Sequence, residues 1–199
     1  MFLYLNERGH HNHYLCIYFV SHLIKMSLLV NGQFPPVNPI TSNNVTTDER
    51  ATAIDFVNRV NYLFEEFNHE KMLDAFLPDS MLYHFHGVIK GRDGTRRFLE
   101  EQYGYLIPGV SRHATNHIVD RDGEDGVAVR YHQHLVRYAW PEDVEKVMGS
   151  DVTNSNDGLP GTWLFTPMMD RLKMTSEGWK IAERHLGPSV FNARFDPPR

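Results

Sequence analysis

The sequence predicts an α+β fold in which helices cover one face of a curved, mixed or antiparallel sheet. Helical periodicity is concentrated in the first half of the chain, and strand-like alternation dominates the second. Short segments rich in Gly, Asp and Ser join the strand candidates. At 199 residues the length fits one domain with extensions, and 41% hydrophobic with 23% charged residues is an ordinary globular composition. The formal net charge of -5, with both signs mixed along the chain, argues against a nucleic-acid partner, which would need a basic stripe. The single cysteine, Cys16, excludes an internal disulfide framework and a zinc site built on several thiolates. The unusual feature is the 12 histidines, several of them in alternating pairs.

Residues 1–45 read as an arm and linker, 46–190 as the domain, and 191–199 as a tail. Within residues 1–25 the apolar run Tyr14 to Val20 is too short to span a bilayer, which takes about 20 residues. It also lacks the basic flank and cleavage site of a signal peptide. No membrane partner is therefore expected, and a cytoplasmic location is. Met26 opens an alternative start, so residues 1–25 are expected to be dispensable. Gln33 to Asn44, with three prolines, is an extended linker.

Thr46 and Glu49 have capping-box spacing, and Ala53, Phe56, Val57, Val60, Leu63, Phe64 and Phe67 follow in helical order. A short helix fits Glu70 to Leu77, ended by Pro78. Met81 to Ile89 alternates as a strand, and Gly91 to Gly94 leads into a third helix over Thr95 to Tyr103. Strands follow over Arg112–Asp120, Val127–Tyr138, Trp163–Met174 and Trp179–Leu186, with a long aperiodic loop between Trp140 and Gly161. Such a sheet has a concave side, where a pocket can form against the first helix.

The histidine-rich segment Arg112 to His117 is the first candidate for chemistry. Strict alternation puts His113, Thr115 and His117 on one face and Ala114 and Asn116 on the other. His113 then reads either as a general acid or base, since imidazole titrates near neutral pH, or as an uninvolved half-buried or surface residue. The pairs His84/His86 and His132/His134 raise a metal-binding, cupin-like alternative, because convergent imidazoles suit zinc, iron or copper. Against it, no glutamate follows the first pair at the expected distance and a capped helix interrupts the strands. Carboxylates able to orient a histidine are Glu65 and Glu66 at the end of the first helix and Asp170 on a late strand. No glycine-rich phosphate loop and no nucleophile elbow is present.

From about Asp48 to Pro188 the chain resembles the SnoaL-like branch of the NTF2-like superfamily, and within it the scytalone dehydratases. The resemblance rests on Phe76-Leu77-Pro78-Asp79, the turn Lys90 to Gly94, Arg112-His113-Ala114-Thr115-Asn116, Tyr131-His132-Gln133 and the closing Glu177 to Ala182. It implies a cone-shaped α+β barrel performing acid–base chemistry without a cofactor or metal on a small cyclic substrate. By the same resemblance His113 takes the catalytic position and Glu65 or Glu66 is its partner. Tyr138, expected to act catalytically as a second proton donor, stands where the branch has a second histidine, and Met168 or Met169 where it has an asparagine. Tyr83, His84, His86, Asn116, His117, His132, Met169 and Asp170 are expected to contact substrate. A non-catalytic ligand- or protein-binding module on the same fold is the competing reading. The outer face of an open sheet needs cover, so a homodimer is expected, with a trimer as the variant.

Overall fold

The computed structural model describes residues 34–155 and 157–197. The chain divides into two units, 1–35 and 36–199, and the fold below is that of the second. The expectations for residues 1–25, including Cys16 and the start at Met26, lie outside the described residues.

Helix α1 (Thr47–Glu66) begins with the capping box its sequence announces. The Thr46 hydroxyl accepts from the Glu49 amide at 3.2 Å, and the Glu49 carboxylate accepts from the Thr46 amide at 2.8 Å. Arg121 bonds the same carboxylate and holds it well below its ordinary pKa, at about 2. Phe67, in the left-handed region at φ 56, ends the helix. Ala53, Val57, Val60 and Phe64 form its buried stripe, each large side chain contributing roughly 1.5–3 kcal/mol by leaving water. Opposite them lie Val119, Val127, Val129, Leu172 and Ile181 of the sheet, and α2 (His69–Asp74) adds Met72 and Leu73 to this core.

The described residues form a seven-stranded sheet: β1 (Phe76–His84), β2 (Gly87–Lys90), β3 (Val110–Arg121), β4 (Gly126–Arg137), β5 (Gly161–Thr175), β6 (Gly178–Leu186) and β7 (Val190–Phe191). Six run in the order β2-β1-β6-β5-β4-β3, and β7 pairs with the start of β5. β1 runs parallel to β6, and the other pairings are antiparallel.

Several boundaries differ from those expected. The second helix stops at Asp74, because Phe76 already pairs with Ile181 of β6. The strand expected over 81–89 is a hairpin, turned at Gly87, whose φ of 118 favours glycine. The third helix, α3 (Gly91–Phe98), starts earlier and widens into a π-helical turn over Leu99–Tyr103, followed by the short α4 (Gly104–Leu106). The long loop holds a 3-10 turn (Pro141–Asp143) and α5 (Val144–Met148). The tail is structured through Pro197: Trp163 donates to the Asp196 carboxylate, and Phe195 packs with Ile107, Val110, Leu135, Trp163 and Leu164.

One local irregularity governs the site. The β3–β4 register shifts between Thr115 and Ile118, and Asn116 there has a φ of 58. This bulge reverses the alternation of β3. Before it, Arg112 and Ala114 face inward; after it, His117 and Val119 do.

Candidate active site

Between the concave face of the sheet, the π-helical turn and the C-terminal segment lies a cavity of about 450 Å³, within the range of small-molecule sites. Its walls are largely aromatic and aliphatic: Phe98, Tyr103, Trp163, Leu135, Met168 and Leu186. Phe85 and Phe191, both exposed and edge-to-face at 5.6 Å, stand beside it. Glu101 and Asp196 are exposed carboxylates on its lining.

Strands bring four polar side chains to this apolar space: His84, Arg112, Gln133 and Thr166. His84, the last residue of β1, packs against Phe98 at 4.9 Å and His86 at 5.0 Å. Burial pushes its imidazole down to about 3, with the neighbouring His86 and Arg112 adding to the effect. Its Nδ1 accepts from the His86 backbone amide at 3.2 Å, which leaves the proton of the neutral ring on Nε2. Gln133 is fully buried on β4. Its amide nitrogen donates to the His134 carbonyl at 3.4 Å, while its Oε1 has no partner. The Thr166 hydroxyl is occupied by the Pro167 and Gly187 carbonyls and by Ser189.

Three arginines are buried among the described residues, and they differ in how their charge is met. Arg137 donates to the carbonyls of Phe195, Pro108, Ala139 and Leu106, and lies 4.8 Å over Trp163. Arg184 makes two bonds of 2.7 Å to Asp170, which also accepts from the Tyr131 hydroxyl at 3.0 Å. Burial works against that guanidinium's charge, but the Asp170 carboxylate more than offsets it and its pKa rises. Arg112 lies 4.3 Å over Phe64 and 5.8 Å from Tyr103, and its guanidinium bonds no described residue.

The sequence-derived candidates separate into three groups. His84 and His86 line the cavity. A second set lies inside the fold but not on the cavity lining. His117 stacks on Tyr131 at 5.8 Å and is pushed down by burial against the opposing pull of Asp170, with its Nε2 unpartnered. Asp170 is committed to Arg184 and Tyr131, and Met169 is fully buried opposite Arg130 and His185. The third set is turned away from the cavity. His113 is exposed and sits across from His134; the bulge puts Arg112, not His113, inward. His132 packs beside Phe165 at 5.3 Å and meets the Asn116 amide at 3.2 Å, while Tyr83 stacks on His185 at 4.3 Å.

Neither glutamate meets His113 in the manner expected. Glu65 accepts from the Arg112 amide at 2.7 Å and the Ser111 hydroxyl at 3.0 Å, satisfying a free N–H of the edge strand β3. Glu66 pairs with Lys71 at the surface. Tyr138 is half-buried off the cavity lining, its pKa raised by burial and then by the Glu65 charge. The two His-x-His pairs do not converge, since His132 and His134 flank Phe165 on the opposite face from Gln133. Among the described residues no group of three or more His, Cys, Asp or Glu is placed to hold a metal ion, and no helix is long and apolar enough to cross a membrane.

Arg112 and Gln133 are two buried polar residues of the cavity that the sequence reading did not assign to the site. A signal for Gln133 was present: Val127, Val129, Tyr131, Gln133 and Leu135 alternate on β4, and a lone amide interrupts that apolar row. For Arg112 the signal was Asn116, a residue type that tolerates the left-handed region and so marks a place where alternation can reverse.

Helices on the inner face of a curved sheet, closing a cavity with the C-terminal segment, define an NTF2-like α+β domain, the fold also described as cystatin-like. The model of the SnoaL-like domain matches residues 45–185, and the chain belongs to that family. Comparison with curated proteins gives no match. Among solved structures, an NTF2-like protein from Novosphingobium aromaticivorans is similar at 15% identity, covering 70% of this chain and 80% of its own, with a TM-score of 0.55. A protein of the same bacterium, provisionally named a scytalone dehydratase, is similar at 18% identity over 79% of this chain and 97% of its own, with a TM-score of 0.56. A Catenulispora acidiphila protein in complex with S-DNPA is similar at 20% identity, 71% and 95% coverage and a TM-score of 0.54. At these identities the likeness is one of fold.

Proposed function

We propose that the chain is a cofactor-free acid–base enzyme, a dehydratase, isomerase or cyclase, acting on a small cyclic intermediate of polyketide, terpenoid or alkaloid type. The observation that carries this reading is His84, a neutral imidazole set into an aromatic-walled cavity beside a second imidazole, His86. A neutral Nε2–H can polarise a substrate carbonyl without the imidazole first having to lose a charge. His86, next to it on the lining, is assigned the role of taking the proton from the adjacent carbon. The acid–base role expected of His113 therefore passes to this pair. Membership of the SnoaL-like family and the fold of the provisionally named scytalone dehydratase support the reaction class. A homodimer remains part of the proposal, to be checked by light scattering; a monomer at high concentration would remove it.

The test is independent of the natural substrate. Incubated with tetralone in deuterated buffer, the protein should accelerate hydrogen–deuterium exchange beside the carbonyl, followed by NMR. His84→Ala should lower that rate about 10²–10³-fold, the usual loss for a preorganised oxyanion donor. His113→Ala should leave it unchanged. Exchange no faster than in buffer alone, or an undiminished rate in His84→Ala, would defeat the reading and favour a non-catalytic binding module.

A further inference from the structure

We infer that the ligand of this cavity is a planar cyclic carboxylate, held by Arg112 at its carboxylate and by Gln133 at a neighbouring hydroxyl. This deepens the reading of the cavity as the substrate site and rests on it. The charge of Arg112 is unmatched. An arginine is tolerated in an interior when its donors are engaged, and the other two buried arginines meet that condition: Arg137 through four carbonyls, Arg184 through Asp170. Arg112 is 7% exposed and lines the cavity, yet its Nε and Nη1 are buried without any hydrogen bond. The interior carboxylate, Asp170, is already saturated by Arg184 and Tyr131. The nearby Glu65 is spent on the Arg112 backbone amide and on Ser111. Glu101 and Asp196 make no ion pair with Arg112 and are exposed, Asp196 accepting from Trp163. His84 is neutral. The polar end of the cavity thus carries an unmet positive charge.

Phe64, under the guanidinium at 4.3 Å, helps hold it in place and so reduces the cost of ordering the fork. A carboxylate offers two oxygens to such a fork, whereas a single carbonyl oxygen leaves donors unmet. Gln133 supplies the second specification. Leu135 is the cross-strand partner of Arg112, and Gln133 is two residues from it on the same face, a diagonal neighbour within reach of a long side chain. Its unpartnered Oε1 accepts and does not donate, so it calls for a hydroxyl. The aromatic walls, Phe98, Tyr103 and Trp163, suit a flat ring between these two contacts.

The probes are naphthoate, its uncharged isostere naphthamide, and hydroxynaphthoate with the hydroxyl next to the carboxylate, each titrated at neutral pH by calorimetry and by quenching of tryptophan fluorescence. Wild type should bind naphthoate at least about tenfold more tightly than naphthamide, the scale of one charge-assisted hydrogen bond. Arg112→Gln should abolish that preference, Arg112→Lys should keep part of it, and Gln133→Leu should remove only the advantage of hydroxynaphthoate over naphthoate. Equal wild-type binding of naphthoate and naphthamide overturns the inference, as does a preference that survives in Arg112→Gln. Should Arg112→Gln fail to fold, the wild-type preference and its partial loss in Arg112→Lys decide the matter by themselves. The readout is binding, so carboxylate selectivity without tetralone exchange would sink the catalytic reading alone, and exchange without selectivity would sink this one alone.

Discussion

Asp170→Asn is the substitution whose effect the structure defines most tightly. Asp170 is fully buried and accepts two bonds of 2.7 Å from Arg184 and one of 3.0 Å from Tyr131. The amide keeps the shape, removes the charge, and turns an N–H₂ toward donors that need an acceptor. Breaking a buried pair by neutralising one partner costs about 3–5 kcal/mol, because the remaining charge is left uncompensated. Against a total stability of about 5–15 kcal/mol, that is a large fraction. For a chain of this size it corresponds to a drop in Tm of roughly 6–20 °C. Urea unfolding followed by far-UV circular dichroism measures it directly. The double variant Asp170→Leu with Arg184→Met should recover much of the loss, since both charges leave together. A loss under about 1 kcal/mol for Asp170→Asn, or a double variant no better than the single, would refute the reasoning.

His84 makes stability depend on pH. Its pKa is ordinary, about 6.5, in the unfolded chain and about 3 in the folded one, so between these values the unfolded state binds the extra proton and stability falls as pH is lowered. The slope approaches about 1.4 kcal/mol per pH unit, and unfolding curves of His84→Phe across that window should lack this component. Gly109→Ala should destabilise by about 2 kcal/mol or more in a thermal melt, because Gly109 has a φ of 76 and a Cβ there would overlap the Ala139 carbonyl. Arg137→Met should orphan the Phe195, Pro108, Ala139 and Leu106 carbonyls and raise hydrogen exchange over residues 190–197, leaving α1 protected.

What was legible in the sequence was what is decided locally. The Thr46/Glu49 box, the stripe Ala53, Val57, Val60, Phe64 and the long strands are set by near neighbours and by periodicity, and the structure carries them as expected. The pair His84/His86 was visible for the same reason. The orientation of His113 was not, because alternation assumes an unbroken pleat, and the register shift at Asn116 depends on pairing with β4 and packing beneath α1. The destination of Glu65 was likewise tertiary: helix periodicity does not say that the edge of β3 needs an acceptor beside Arg112. Nor could spacing reveal which of several arginines would lack a counter-charge, since that follows only from where Asp170 and the backbone carbonyls end up.

The reversal at Asn116 also divides β3 into two stretches with separate duties. Upstream, Arg112 lines the cavity while Val110 and Ala114 pack in the hydrophobic cores; downstream, positions 117, 119 and 121 serve the packing under α1 and the tie to its first turn. Position 112 is therefore where β3 meets both the ligand space and, through Phe64, the core beneath α1.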